Sequence, residues 1–220
     1  MAKVIIFGVQ ANSSLAHFYL RNDSSHEVVA FSVTKEYLPE SMNFEGLPVV
    51  DFESVEKLYP PNEFSFFAPL SPRKMNVLRK EVYEHILLKG YDMVSYISSK
   101  AVTFSNVKIG KNCLILENNT IQPFVTIGDN VILWSGNHIG HHSIIEDHVF
   151  LTSHVVLSGH CRVKQKAYLG VNCTIRDGLI IEEGCFVAMG SVLQTTTTPD
   201  SIYQGNPAEK SRVPASRFFK

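Results

Sequence analysis

Histidines are concentrated in one short stretch of this 220-residue sequence, and they are the side chains best suited to chemistry at neutral pH. Six of the nine lie between residues 138 and 160. An imidazole has an ordinary pKa of about 6.5, so it can take a proton from a substrate near pH 7 or bind a metal ion. The six are His138, His141, His142, His148, His154 and His160. We expect most of them to be surface turn residues, which leaves a small number as candidates for a base or a ligand.

A six-residue period sets the positions of these histidines. Every sixth residue from Ile109 to Leu193 is Ile, Leu or Val, without an insertion. The residue two positions earlier is mostly small or branched, and Gly often follows the apolar residue. Such a unit is typical of a short strand and a turn, and three consecutive units close one coil. Residues 109–193 therefore predict nearly five coils of a parallel β-helix with the large apolar residues inside.

The period also separates core residues from surface residues. Four cysteines, spaced by multiples of six, fall at the small inward position, and we expect them to fill the core without pairing or binding metal. They are Cys113, Cys161, Cys173 and Cys185. Four unpaired thiols suit a reducing compartment. None of the six histidines falls at an inward position, so none is expected to be packed in the core.

The 18-residue coil brings particular residues of the histidine stretch together. Four histidines, at 142, 148, 154 and 160, share one repeat position, but only His142 and His160 are 18 apart and should stack on consecutive coils. By the same spacing, Gly159 lies one coil from His141. A glycine there leaves space beside the imidazole for a ligand, which makes His141 the leading functional candidate.

Residues 1–97 lack the period and alternate between strand-like and helix-like patterns. Strands are predicted at 3–8, 28–33, 64–67 and 93–97, with helices at 14–20 and 53–58. A longer helix is predicted between an N-cap at Ser71, with Pro72 at its first position, and Gly90 just past its end. This alternation predicts a small parallel sheet flanked by helices, with a ligand at the carboxyl ends of the strands around residues 8–13.

Composition narrows the class of partner. The net charge is −1 and 45% of the residues are apolar, so neither nucleic acid nor an anionic membrane is expected as a partner. No apolar run approaches the length needed to cross a bilayer, and the N-terminal run is too short for a signal peptide. We expect a cytoplasmic protein with an α/β domain at 1–99, a β-helix at 100–198 and a tail at 199–220.

These features together resemble a known family. The hexapeptide solenoid, the Asn-His-Ile-Gly-His-His segment at 137–142 and the Tyr-Gln-Gly-Asn-Pro-Ala tail at 203–208 are similar to those of the left-handed β-helix acyltransferases. The added α/β domain resembles, more narrowly, bacterial N-acetyltransferases that act on nucleotide-linked amino sugars for surface glycans such as O-antigens. The resemblance implies a Rossmann-like N-terminal domain, a left-handed coil, and a homotrimer with each active site between two chains.

The resemblance also implies roles for residues of the β-helix. His141 would be the general base, and His142 stands where the family carries the Asp or Glu that orients it. Asn137 and His138 would help to hold the acceptor, and the amide of Gly159 would receive the thioester carbonyl. Glu117, Glu146 or Asp147 are candidates to replace the missing acidic residue.

Coenzyme A and the nucleotide would be bound by other parts of the chain. Val171 would line the pantetheine arm, and Gly205 and Pro207 of the tail would lie near the adenine end. In the N-terminal domain the Gly-rich turn of the family is reduced to a single glycine. The residues expected to bind the nucleotide-linked sugar are Gly8, Gln10, Asn12, Ser13 and Ser32.

The function implied is acetyl transfer from acetyl-CoA to the amine of a nucleotide-linked amino-dideoxy sugar, by direct attack and with no metal. A sugar amine must lose a proton before it attacks a thioester, and an imidazole can accept that proton at neutral pH. Transfer to a sugar hydroxyl is the nearest alternative. A histidine–zinc enzyme similar to the β-helix carbonic anhydrases is a second alternative. A non-catalytic binding solenoid is disfavoured, because the exposed positions do not repeat one residue type.

Overall fold

The computed structural model describes residues 1–217; the last three residues of the predicted tail lie outside this range. The N-terminal part contains six strands and two α-helices in alternation, with short 3-10 helices at Lys35–Tyr37 and Phe52–Lys57. In chain order these elements are β1 (Lys3–Phe7), α1 (Ala11–Asn22), β2 (Glu27–Val33), β3 (Asn43–Phe44), β4 (Leu47–Asp51), β5 (Phe64–Phe67), α2 (Val77–Leu88) and β6 (Asp92–Met93).

The six strands form one sheet in the order β3-β4-β2-β1-β5-β6, parallel except for the hairpin strand β3. Helix α1 covers one face, where Ala16 and Leu20 pack against Val4 and Phe31. Helix α2 covers the other face, where Tyr83 and other residues pack against the sheet. The predicted small parallel α/β domain is therefore confirmed.

A solenoid follows, beginning with β7 (Tyr96–Ile97). Its coils contain fifteen strands of two residues each, and the second residue of every strand belongs to the predicted six-residue series. These strands, β8 to β22, are Lys108–Ile109, Leu114–Ile115, Thr120–Ile121, Thr126–Ile127, Ile132–Leu133, His138–Ile139, Ile144–Ile145, Phe150–Leu151, Val156–Leu157, Arg162–Val163, Tyr168–Leu169, Thr174–Ile175, Ile180–Ile181, Phe186–Val187 and Val192–Leu193. The chain ends in a hairpin of β23 (Ser201–Gly205) and β24 (Ala208–Pro214), then a 3-10 helix at Ala215–Arg217.

The strands stack into three sheets, ordered β10-β13-β16-β19-β22, β20-β17-β14-β11-β8 and β24-β23-β21-β18-β15-β12-β9-β7. All pairings within the coils are parallel and join equivalent strands of consecutive coils, such as Ile139 with Leu157. The apolar series fills the interior, together with the four cysteines, which are buried and unpaired as predicted. Between residues 1 and 217, no helix combines the length and apolar character that a bilayer span requires.

Every turn between consecutive strands contains one residue in the left-handed region. From Asn112 to Gly190, each sixth residue has φ between +53° and +80°. Asn, Gly and His tolerate this region better than most residues do. The turns form three columns along the prism, here named the covered corner (Asn112, Asn130, His148, Lys166), the open corner (Phe124, His142, His160, Gly178) and the third corner (Asn118, Gly136, His154, Asn172). The histidines at 142, 148, 154 and 160 are thus turn residues, as expected.

Helix α2 packs on the covered corner. Arg79 is 1% exposed and donates to the carbonyl oxygens of Asn130 and His148, and to the side-chain oxygen of Asn76. Its guanidinium also lies 5.5 Å from the centre of the Phe150 ring. Within residues 1–217 no carboxylate pairs with Arg79, and burial lowers its pKa to about 9. The α/β domain is therefore joined to the solenoid through a buried, hydrogen-bonded contact.

Several predicted elements differ from the structure. The helix expected from Ser71 begins instead at Val77, because residues 74–76 turn with positive φ and place Met75 and Asn76 against the solenoid. The helix predicted at 53–58 is a 3-10 helix. Two strands replace the single strand predicted at 93–97: β6 belongs to the sheet of the α/β domain, and β7 belongs to the solenoid. The hairpin β3–β4 was not predicted; its turn, Glu45-Gly46, has positive φ at both residues.

Candidate functional site

The open corner carries the histidine that the sequence favoured. His141 and His142 are both exposed, in the turn between β13 and β14. The Nδ1 atoms of the two rings lie 3.1 Å apart, so one ring donates a hydrogen bond to the other. The ring of Phe124 stacks on His142 at 4.5 Å between centroids. The amide of His141 donates to the side-chain oxygen of Gln122 at 2.8 Å. The turn therefore holds His141 through both its backbone and its ring.

The other side of the His141 ring faces Gly159, as the 18-residue spacing predicted. A Cβ at Gly159 would lie 2.8 Å from Cε1 and 3.0 Å from Nε2 of His141. The same Cβ would lie 3.0 Å from Oδ1 of Asp177, so this carboxylate oxygen and the His141 Nε2 border the same small space. Asp177 stands one coil beyond Gly159. Asp177 was not among the residues predicted from the sequence, although one more step of the same spacing finds it.

The amide of Gly159 makes no hydrogen bond inside the described part of the chain, residues 1–217. Its carbonyl accepts from Gly178 at 3.0 Å. A free amide beside an imidazole and a carboxylate is a group that could donate to a substrate oxygen. The open corner thus brings a base, a donor and a negative charge to one place.

The three acidic residues named as possible partners of His141 are engaged elsewhere. Glu146 accepts from the Arg162 Nε at 2.6 Å, and Asp147 accepts from the amide of Asp129 at 2.8 Å. Glu117 accepts from Ser135 and Tyr19. Burial would raise the pKa of Glu117, but the hydrogen bonds from Ser135 and Tyr19 outweigh it, and its pKa is lowered. None of these carboxylates is hydrogen-bonded to His141.

Asn137 and His138 have different surroundings from those expected. Asn137 is 1% exposed; its side chain donates to the carbonyl of Trp134 and accepts from the amide of Val155. The suggestion that it holds the acceptor is therefore corrected, because both ends of its amide are used inside the coil. His138 is partly exposed on β13, between Thr120 and Val156 of the neighbouring strands.

The residues expected to bind coenzyme A lie at another edge of the prism. Val171 is 38% exposed and follows β18, whereas His141 follows β13 in a different sheet. Gly205 and Pro207 are exposed in the turn of the β23–β24 hairpin, and β23 extends the same sheet as β18. Because these strands run parallel, Val171 and the hairpin turn share one edge. A single chain therefore brings Val171, Gly205 and Pro207 together but separates them from His141.

A cavity of about 520 Å³ opens at the carboxyl ends of β1 and β2, where the sequence predicted ligand binding. Gly8, Gln10, Asn12 and Ser13 all line it. Gly8 has a φ of +113°, and a Cβ there would lie 2.6 Å from the Ser13 Oγ, so this position requires glycine. Helix α1 starts beside the cavity with no side-chain cap at Gln10.

Ser32 does not line the cavity. It is fully buried, and its carbonyl accepts from the amide of Gly8 at 2.9 Å, so it supports the loop rather than meeting a ligand. The expectation of direct binding by Ser32 is corrected accordingly. Arg73 and His85 also line the cavity, and neither was predicted from the sequence. Arg73 was not recognised as a cavity residue because the sequence assigned it to α2, which begins only at Val77.

His148 corrects the expectation that no histidine is packed in the core. It is 6% exposed under α2, where its Nδ1 lies 2.9 Å from the Asn130 Nδ2 and its ring contacts Tyr83. Burial is the largest cause of its lowered pKa, and together with the positive charges of Arg79 and Lys80 it brings the pKa to about 4. The six-residue period placed it correctly in a turn but could not show that a helix covers that turn.

Comparison with known families identifies the repeat. Residues 106–141 and 125–159 match the family described as "Bacterial transferase hexapeptide (six repeats)", and residues 166–194 match "Hexapeptide repeat of succinyl-transferase". The solenoid is a hexapeptide-repeat domain. This confirms the family of repeat expected from the six-residue series.

Curated relatives of the hexapeptide-repeat domain are O-acyltransferases. The acyl-[acyl-carrier-protein]–UDP-N-acetylglucosamine O-acyltransferase of Campylobacter concisus (strain 13826) is 31% identical over 124 residues, which are 53% of this chain and 47% of that protein. The protein of the same name from Agrobacterium fabrum (strain C58) is 24% identical over 110 residues, 47% and 41% of the two chains. This chain spans about half the length of the curated relatives it matches.

Solved structures resemble the whole chain, including the domain before the hexapeptide-repeat domain. PerB from Caulobacter crescentus, in complex with CoA and GDP-perosamine, has a TM-score of 0.82 at 21% identity and covers 96% of this chain and 98% of its own. The acetyltransferase domain of PglB from Neisseria gonorrhoeae FA1090 has a TM-score of 0.84 at 17% identity, with 96% and 100% covered. These similarities confirm the fold, a small α/β domain followed by a left-handed parallel β-helix.

Proposed function

We propose that this chain transfers an acetyl group from acetyl-CoA to the amine of a nucleotide-linked amino-dideoxy sugar, for a surface glycan such as an O-antigen. The observation that carries the proposal is the geometry of the His141 imidazole. Its Nδ1 is hydrogen-bonded to His142, and its Nε2 borders the space that a side chain at Gly159 would fill. The binding of CoA and GDP-perosamine by the structurally similar PerB supports the choice of substrates.

The proposed reaction needs a base at the acceptor amine. His141 takes a proton from the amine at Nε2 while the amine nitrogen attacks the thioester carbonyl. The C–S bond then breaks, the sulfur leaves as thiolate, and the proton passes on to give free CoA and the amide. If the Nδ1–H of His141 donates to the Nδ1 of His142, the lone pair of Nε2 is free to accept the proton. His142 thus replaces the usual carboxylate as the group that orients the ring.

Two further groups flank the reaction. The unpaired amide of Gly159 is the proposed donor to the oxyanion that forms when the amine adds to the thioester. The carboxylate of Asp177 borders the space above Gly159 together with His141, where it favours the positive charge that develops on the imidazole or on the acceptor amine. We assign Asp177 the electrostatic part of the role of the missing acidic residue, and His138 a place beside the acceptor.

The α/β domain, residues 1–99, is proposed to hold the nucleotide. The cavity beside Gly8, Gln10, Asn12 and Ser13 meets the N-terminus of α1, where free amides and the helix dipole favour a phosphate. Arg73 at the same cavity supplies a positive charge that compensates for the reduced glycine content of the loop.

We infer a homotrimer in which each active site lies between two chains. The separation of His141 from Val171, Gly205 and Pro207 on one prism supports this, because a second chain must supply the coenzyme contacts. The solenoid at 100–198 would carry the base, and the tail at 199–220 the adenine end of coenzyme A. The proposed location is the cytoplasm, and no metal is required by this chemistry.

The trimer proposal predicts complementation. Co-expressed His141→Ala and Val171→Glu chains should regain part of the activity that each loses alone, since some sites in a mixed trimer combine one intact base with one intact coenzyme edge. Homogeneous preparations of each variant serve as controls. A monomeric mass in light scattering, or no recovery in mixed assemblies, would contradict shared sites.

Transfer to a sugar hydroxyl is the second candidate, because the curated sequence relatives are named O-acyltransferases. The same base can remove a hydroxyl proton, so the open corner serves both reactions. Assays with matched amino and hydroxyl acceptors separate N-transfer from O-transfer.

The deciding experiment measures thiol release from acetyl-CoA with uridine-, thymidine- and guanosine-linked amino sugars and their hydroxyl counterparts. Turnover with an amino sugar, reduced about 10²–10⁴-fold in His141→Ala, is the expected result for a general base. His26→Ala is the control: it removes an imidazole from the α/β domain outside the cavity beside Gly8, and it should keep full activity. Unchanged turnover in His141→Ala would show that another residue is the base. Turnover only with hydroxyl sugars, or with none, would refute N-acetyl transfer.

A further inference from the structure

Three imidazoles meet at the open corner, although the proposed reaction uses only two of them. The rings of His142 and His160 stack at 5.0 Å between centroids and 18° between planes. The ring of His141 stands nearly perpendicular to both, at 5.3 and 5.0 Å. One ring nitrogen of each residue lies within 4.8 Å of the others, and all three residues are exposed. Three converging imidazoles are the ligand set of many zinc sites.

The geometry is close to what a metal ion needs. Two nitrogens bound to one tetrahedral zinc ion, each at about 2.0–2.1 Å, lie about 3.4 Å apart. The Nδ1 atoms of His141 and His142 are already 3.1 Å apart. The third nitrogen, of His160, lies within 4.8 Å of a nitrogen of each of the other two rings, and its exposed ring can rotate to bring it closer. A fourth position would remain open to water.

The backbone holds the three residues in place. The amide of His160 donates to the carbonyl of His141 at 2.9 Å, which sets the register of the two coils. His142 and His160 occupy the same left-handed turn position, with φ of 58° and 54°. The nearby carboxylate of Asp177 adds a negative charge beside Gly159. Little ordering is therefore required when an ion binds.

We propose that His141, His142 and His160 bind a divalent transition metal ion, zinc in the first place, and that the bound ion inhibits the enzyme. Binding follows from the three imidazoles alone. Inhibition rests on the proposed function, because an ion bound to the His141–His142 pair takes the nitrogens that orient the base or accept the proton. The open corner would then be a site where zinc competes with acyl transfer.

The binding test uses the full-length, metal-stripped protein and zinc, in competition with a chromophoric chelator of micromolar affinity. The expected result is one zinc ion per chain at micromolar affinity. His160→Asn should weaken binding at least about tenfold, because Asn keeps the left-handed turn but removes one of three ligands. His154→Asn, at the third corner, is the matched control and should bind as the unchanged protein does. Circular dichroism checks that both variants fold.

Two results would overturn the proposed site: no zinc binding in the micromolar range, or equal affinity in His160→Asn and the unchanged protein. Cobalt gives a second measurement, since a tetrahedral cobalt site absorbs visible light and His142→Asn should abolish that absorption.

The inhibition test compares acetyl transfer with and without zinc in each protein. Transfer in the unchanged protein should fall together with zinc occupancy, whereas transfer in His160→Asn should need at least tenfold more zinc to fall equally. Full transfer at full zinc occupancy would overturn the inhibitory role. Absence of transfer with every acceptor would refute the proposed function, and the zinc titration would still decide the metal site.

Discussion

The covered corner and the open corner are built from the same turn of the same repeat, yet their histidines have opposite environments. His148 at the covered corner lies under α2 and has its pKa lowered to about 4 by burial and by Arg79. His142 and His160 at the open corner are exposed and stack on each other. Histidine suits this turn position for its backbone alone. Whether it then serves stability or chemistry depends on what packs over the turn.

The largest expected effect concerns the contact that makes the covered corner different. Arg79→Ala leaves the carbonyls of Asn130 and His148 buried without a donor, so the free energy of unfolding should fall by about 3 kcal/mol or more. Arg162→Ala, which removes an exposed partner of Glu146, should cost less than about 1 kcal/mol. Urea unfolding measures both. Equal losses would show that the covered corner is not held by this buried cation.

At the open corner the corresponding change is an added methyl group. Gly159→Ala would place a Cβ 2.8 Å from the His141 ring, and the exposed ring can move away at little cost to stability. Acetyl transfer should therefore fall about 100-fold while the melting temperature stays nearly constant. The control is Gly184→Asn, which adds a side chain in a turn away from His141, and this variant should stay active. An active Gly159→Ala would exclude the space above Gly159 from the site.

The two corners should also differ in their response to acid. Below pH 6.5 the unfolded chain protonates residue 148, whereas the folded chain keeps it neutral down to about pH 4, so stability falls as the pH falls through this window. Between pH 7 and 5 the contribution is about 2 kcal/mol. His148→Asn should remove this part of the pH dependence, and His154→Asn should not. The comparison is made by urea unfolding at both pH values, and identical slopes in all three proteins would contradict it.

The smallest expected effect tests the carboxylate of the open corner. A charge that borders the same space as the base but is exposed to water is worth about 1 kcal/mol, so Asp177→Asn should lower kcat/KM about fivefold. The loss should grow as the pH is lowered if Asp177 favours the charged imidazole or amine. The control is Asp147→Asn, since Asp147 directly precedes His148 at the covered corner as Asp177 directly precedes Gly178 at the open corner. Equal kinetics for the two variants and the unchanged protein would remove Asp177 from the mechanism.

Much of the candidate site followed from arithmetic on the sequence. The 18-residue spacing placed Gly159 beside His141 and His160 on His142, and both contacts are present. One further step would have found Asp177. These predictions succeed because each coil repeats the same backbone path, so sequence separation converts directly into distance.

Predictions failed where two parts of the chain meet. Pro72 suggested a helix start, but residues 74–76 form a turn in which Met75 and Asn76 contact the solenoid, so the helix begins only after this turn. Arg73 was therefore assigned to a helix rather than to the cavity. The reason differs for Asn137 and Ser32, which were expected to bind substrate: each side chain is buried inside its own domain.

Four features follow from the sequence alone: the hexapeptide coil, its inward residues, the turn positions of the histidines and the α/β alternation before the coil. These are local properties, since a period of six or an alternating pattern acts through neighbouring backbone and side chains. The docking of α2 determines which corner is covered and which histidine is buried and neutral. Docking joins residues far apart in the sequence, such as Arg79 and His148, and no local pattern encodes that contact.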